Sequence, residues 1–111
     1  MSVSELCKDH IRIRLIREDE GLFLQVASED EPEDSRTGLM PCDPDVLCSV
    51  LRGLTYQLSS KDTYCVIRRS GSMIDIEYQR GSDRHKCSLE AEEFARLVAP
   101  AMPARLRAML L

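Results

Sequence analysis

The sequence predicts an α+β domain: two layers, a five-stranded antiparallel sheet with helices on one face, in the order β-β-α-β-β-β-α. Three observations carry this. Residues 63–89 alternate apolar and polar side chains in three runs separated by glycine-containing turns, Ser70-Gly71 and Gly81-Ser82, the pattern of a meander. His10 to Ala27 shows the same alternation about one turn, and the remaining apolar residues recur at helical spacing. At 111 residues, with 43% hydrophobic and 31% charged residues, the chain is long enough for a core and balanced enough to fold as one domain, 1–111.

Taken in order, Met1 to Asp9 carries only Val3, Leu6 and Cys7 as apolar residues and is expected as a helical turn or a frayed end. The first strand, His10 to Arg17, sets Ile11, Ile13 and Leu15 against Arg12 and Arg14. A turn over Asp19-Glu20 leads to a second strand, Leu22 to Ala27. It pairs Leu15 with Leu24 and Ile13 with Val26 on one face, and Ile16 with Phe23 and Arg14 with Gln25 on the other. Residues 28–42 are an acidic flexible loop containing Glu29-Asp30-Glu31-Pro32-Glu33-Asp34, without the spacing of an EF-hand.

Asp43-Pro44-Asp45 is a helix start, with Asp as N-cap and Pro at the first helical position. Val46, Leu47, Val50, Leu51, Leu54 and Leu58 form one stripe, which extends this helix to about Leu58 through Gly53. The meander follows. Two-residue turns place Cys65 opposite Ile76 and Ile76 opposite Cys87, with Ile67, Ile74 and Leu89 in the next row and Thr63, Tyr78 and His85 in the third. Glu90 to Val98 is a second helix, with Phe94, Leu97 and Val98 inward. Pro100 ends it, and residues 100–111 form a tail whose short helix carries Leu106, Met109, Leu110 and Leu111. No internal repeat is evident in the sequence.

Composition narrows the function. A net charge of −4 argues against a generally basic nucleic-acid binder. Five cysteines, an odd number, and no N-terminal apolar run point to free thiols in a cytoplasmic protein, and no segment has the roughly 20 apolar residues of a membrane span. Cys42 and Cys48 are spaced C-x5-C and His85 lies two residues before Cys87, neither a zinc spacing. Cys65 and Cys87, on either side of Ile76, are expected roughly 9–10 Å apart, beyond disulfide reach. No phosphate loop, nucleophile elbow or HExxH motif occurs, so no catalytic residue, metal or cofactor is assigned.

The informative surface is the sheet face turned away from the helices. Ile16, Phe23, Tyr64, Val66 and Met73 are expected there as an apolar patch with a polar rim of Arg12, Arg14 and Glu77. That composition suits a protein interface. The leading expectation is therefore a non-catalytic protein–protein interaction module, self-associating as a dimer or docking a protein partner, with Leu106, Met109 and Leu110 as a second contact. The alternative is a platform for single-stranded nucleic acid, with Arg12, Arg14 and Arg68 on phosphates and Phe23 and Tyr64 stacking on bases.

Overall fold

The computed structural model describes residues 2–110, except the side chain of Met109. It holds eight strands and three α-helices: β1 (Ser2–Lys8), β2 (Ile11–Glu18), β3 (Gly21–Ser28), β4 (Met40–Cys42), α1 (Pro44–Ser49), β5 (Tyr56–Ser60), β6 (Thr63–Ser70), β7 (Met73–Arg80), β8 (Asp83–Glu90), α2 (Ala91–Val98) and α3 (Ala104–Leu110). The α+β class and the antiparallel pairing stand. The single five-stranded sheet does not: there are two antiparallel sheets of four strands, β1-β2-β3-β4 and β5-β6-β7-β8.

The same order of elements, four strands and a helix, thus occurs twice. The repetition lies in the backbone plan rather than in matching residues. The two halves differ most in one connection. Residues 29–39 join β3 to β4, whereas only Gly81 and Ser82 join β7 to β8.

Three strands carry too little hydrophobic signal to be read in advance. β1 is an edge strand with Val3 exposed, and it is held by backbone pairing to β2, from Ser2 opposite Arg17 to Lys8 opposite Ile11. Its turn, Asp9-His10, has both residues at positive φ (53° and 66°), as a tight hairpin turn of this hand requires. β4 is three residues long. β5 contributes one fully buried side chain, Leu58.

The predicted helix from Pro44 to Leu58 is correspondingly shorter. Asp43 caps it, its Oδ1 accepting from Asp45 N at 2.8 Å. A 3-10 turn, Val50–Arg52, follows α1, and Gly53 at φ 106° stops it. Gly53 N donates to Val50 O and Leu54 N to Ser49 O, the two bonds of a Schellman motif. The chain is thereby turned out of the helix, Leu54 becomes 44% exposed, and Leu58 enters a strand. A glycine that is free to adopt positive φ ends the apolar stripe, whatever its periodicity suggests.

The β2–β3 register is as expected, with Leu15 opposite Leu24 and Ile16 opposite Phe23. In the β6–β7 hairpin the turn is Gly71-Ser72 rather than Ser70-Gly71, so Cys65 faces Tyr78 and Ile67 faces Ile76. The reason is local: Gly71 supplies φ +62° at the first turn position, where a type II′ turn needs glycine. The slip is two residues, so every side chain keeps its face. β7–β8 turns on Gly81-Ser82 as expected, and Tyr78 faces His85.

One buried cluster joins the inner faces of both sheets, including Ile13, Leu24, Ile67, Ile76 and Leu89, with Phe94, Leu97 and Val98 of α2. α2 packs on β7 and β8 and also on β1, so it ties the two sheets together. Ser4 Oγ donates to Leu97 O, and Lys8 Nζ reaches Glu93 Oε1 at 2.9 Å. Glu93 in turn accepts from Glu90 N at 2.9 Å, which satisfies a donor at the start of the helix. The tail folds back within the chain: Ala101, Met102 and Leu106 are buried, and Leu110 packs partly against the core.

Candidate interaction surface

Each sheet has one face on the core, and the two outward faces have opposite fates. On the first sheet, Arg12, Arg14, Ile16, Phe23 and Gln25 point outward by alternation, yet little of this face is open. Residues 29–39 run across it as a strap.

The strap is held through its main chain. Arg12 Nη2 donates to Glu29 O at 2.8 Å and its Nη1 to Glu31 O at 2.9 Å. Arg14 Nη1 donates to Glu33 O. Gln25 Nε2 donates to both Ser35 O and Thr37 O at 2.9 Å. Glu5 on β1 compensates the two guanidinium groups, with its Oε1 at 3.0 Å from Arg12 Nε and 3.3 Å from Arg14 Nε. The second contact is an ion pair without hydrogen-bond alignment. The arginine side chains are left only 11% and 13% exposed, and Gln25 2%.

The strap's own side chains are anchored at its flanks. His10 Nδ1 meets Glu29 Oε1 at 2.7 Å, Arg80 Nη2 lies 3.6 Å from Glu31 Oε1, and Arg36 pairs with Glu18 at 2.6 Å. Glu29 accordingly raises the pKa of the exposed His10 by hydrogen bonding and charge. Gly38, at φ +74°, brings the strap's end onto β6 and β7, where an added Cβ would stand 3.1 Å from Tyr78 Oη.

Among the described residues, the outward face of the second sheet has no such cover. Its central row runs Gln57, Val66, Glu77, Lys86 across the four strands; the row beside it runs Ser59, Tyr64, Gln79, Arg84. Arg68 faces Asp75, which faces Ser88, and Met73 closes the surface beside Glu90. Tyr64 is 44% exposed; Val66 and Met73 are half-buried. Lys86 pairs with Glu77 at 3.2 Å, Ser88 Oγ donates to Asp75 at 2.6 Å, and Arg84 Nε to Gln79 Oε1 at 3.3 Å. A half-open depression of about 420 Å³ lies among Tyr64, Gln79, Arg84 and Lys86.

The expected interface residues therefore divide between two sheets. Ile16 (6% exposed) and half-buried Phe23 lie on the first, beside the strap. Tyr64, Val66 and Met73 gather on the second. Leu106 is buried within the chain, Leu110 is partly buried, and the side chain of Met109 lies outside the described residues. The five residues of the nucleic-acid platform are likewise split, with Arg12, Arg14 and Phe23 on the first sheet and Tyr64 and Arg68 on the second. What the sequence did not reveal is Gln25, a buried polar residue with the strap's carbonyls as partners. Its one signal was a polar side chain placed between two arginines and a phenylalanine on an outward face.

The thiols are set apart from this surface. Cys42, Cys48, Cys65 and Cys87 are buried and Cys7 is exposed; all five are free. Burial pushes Cys42 and Cys65 up to about 12 and Cys87 up to about 11, and it also raises Cys48. Such thiols stay protonated and are poor nucleophiles and poor ligands at neutral pH. His85 stacks on Tyr78, with ring centroids 6.1 Å apart. Among the described residues no three His, Cys, Asp or Glu side chains gather as a metal cluster, and no helix is long and apolar enough to cross a membrane. No family model matches this chain, and neither the curated proteins nor the solved structures include a significant match to it.

Proposed function

We propose that this protein is a non-catalytic protein–protein interaction module that self-associates through the outward face of its second sheet. One observation carries the reading: of two equivalent sheet faces, the first is closed by an eleven-residue connection, residues 29–39, while the second, joined by a two-residue turn, is left open with Tyr64, Val66 and Met73 upon it. A tyrosine and apolar side chains bordered by arginine are the composition of an interface centre.

Charge favours a second copy as the occupant. The open face carries Arg68, Arg84 and Lys86 against Asp75, Glu77 and Glu90, three of each sign. Two such faces meet without net repulsion although the whole chain carries −4. A polyanion would find no net attraction there, and the arginines of the other sheet are engaged by the strap. Strands about 4.8 Å apart with residues every 3.3 Å make the four-stranded face a plate of roughly 500 Å². That is small for a stable interface, so the dimer is expected to be weak, in the micromolar range.

The test is sedimentation equilibrium across that range. A mass that rises towards the dimer, and that Tyr64→Lys returns to the monomer with native circular dichroism intact, supports the reading. A wild-type chain that stays monomeric throughout, or a Tyr64→Lys variant that associates as well as wild type, would overturn it.

A further inference from the structure

The strap on the first sheet is bound in an unusual manner for a surface connection. Five of its carbonyls, from Glu29, Glu31, Glu33, Ser35 and Thr37, accept bonds from three side chains of the sheet. They belong to every second residue. The donors are fixed on the sheet: Arg12 and Arg14 are held by Glu5, and Gln25 is buried between strands. Meanwhile Asp30, Glu33 and Asp34 make no ion pair among the described residues, so much of the strap's negative charge faces outward while its backbone faces in.

Two consequences follow from this division of labour. Recognition by the sheet depends on main-chain carbonyls, which any polypeptide presents, rather than on particular side chains. Selection for acidic segments comes from the cations around the track, Arg12, Arg14 and Arg80, which favour a negative chain whatever its order of residues.

We propose that the outward face of the first sheet is a receptor for an acidic peptide segment of a partner protein, with residues 29–39 as its resident occupant, displaced when the partner binds. The mode is peptide recognition by side-chain donors on a sheet face, distinct from self-association through the second sheet. The two readings stand or fall separately.

The probe is a fluorescent peptide of residues 28–35, Ser-Glu-Asp-Glu-Pro-Glu-Asp-Ser, blocked at both ends to remove terminal charges. In the full chain with residues 29–37 replaced by a Gly-Ser linker of equal length, the peptide is expected to bind at least tenfold more tightly than to wild type. A scrambled peptide of the same composition should bind within threefold of it, and the Gln/Asn counterpart should bind at least tenfold more weakly. Arg12→Met with Arg14→Met should abolish binding. A folded linker variant that leaves the peptide free, or binding that survives the double substitution, would overturn the proposal. So would a linker variant that ignores the peptide and instead retains a single-stranded oligonucleotide, which would assign the arginines to phosphate. Should the linker variant not fold, the wild-type chain decides the matter. The probe contains no Lys or Arg, so an excess of it should speed tryptic cleavage after Arg36 severalfold by freeing the strap. An unchanged cleavage rate would overturn the proposal.

Discussion

Gln25→Ala isolates what holds the strap to the sheet. Gln25 is 2% exposed, and its Nε2 donates to Ser35 O and Thr37 O at 2.9 Å each. A neutral hydrogen bond contributes a net 0.5–1.5 kcal/mol, so two give about 2 kcal/mol. An unfolding entropy of about 2.1 cal/mol/K per residue, scaled to this chain, converts that loss to a fall in Tm of about 9 °C. Thermal unfolding followed by circular dichroism, with urea titration to check that the m-value is unchanged, measures it. Gln25→Leu sharpens the test. Leucine fills the space that alanine leaves to water and so keeps both carbonyls dry without a donor; it is expected to be the more destabilising change. If the Gln25→Leu variant proves more stable than Gln25→Ala, the residue acts by its volume, and the account of the strap as a hydrogen-bonded element is wrong.

The other predictions concern the strap's ends and the thiols. Gly38→Ala forces a side chain into the left-handed region and brings Cβ within 3.1 Å of Tyr78 Oη; a cost of about 1–2 kcal/mol is expected in urea unfolding, and a neutral result would refute the contact. Glu29 raises the pKa of His10 in the folded chain, so this pair stabilises fully below the unfolded value near 6.5, and its contribution is lost as pH rises through the folded value. An NMR titration of His10 should show the raised midpoint, and Glu29→Gln should bring it down. At pH 8 a thiol reagent should label Cys7 rapidly and the other four cysteines only on unfolding, because Cys42 and Cys65 sit at about 12 and Cys87 at about 11. Rapid labelling of a second thiol in the native protein would contradict their burial.

What could be read from the sequence follows the physics of each element. Where one face of a strand is fully buried, as with Ile13 and Leu15 or Ile74 and Ile76, alternation fixes the facing of each side chain, and those faces are the observed ones. The helix led by Glu90 was equally legible, because Phe94, Leu97 and Val98 bury one stripe. β1 and β5 were hidden because they are stabilised mainly by backbone pairing, which leaves little mark on side-chain pattern. The periodic stripe that ran through Gly53 to Leu58 shows the converse, a hydrophobic pattern outranked by one residue's backbone freedom. The site was half legible. Outward parity placed Arg12, Arg14, Phe23, Tyr64 and Arg68 correctly relative to the core, but the division into two sheets and the seating of an acidic strap over one of them arise from long-range packing that no local spacing encodes.

The twofold plan of four strands and a helix also sets the order in which the molecule can assemble. Within each sheet every strand pairs with its neighbour in the chain, and all hairpin connections but the strap's are two residues long. The second meander therefore closes only short loops, and the first does so everywhere but at the strap, which costs little chain entropy and favours rapid formation. The slow step is left to the contacts that join opposite ends of the polypeptide, Ser4 with Leu97 and Lys8 with Glu93. We expect a folding transition state in which both sheets are largely formed while β1 and α2 have yet to meet, so that substitutions at that junction accelerate unfolding far more than they slow folding.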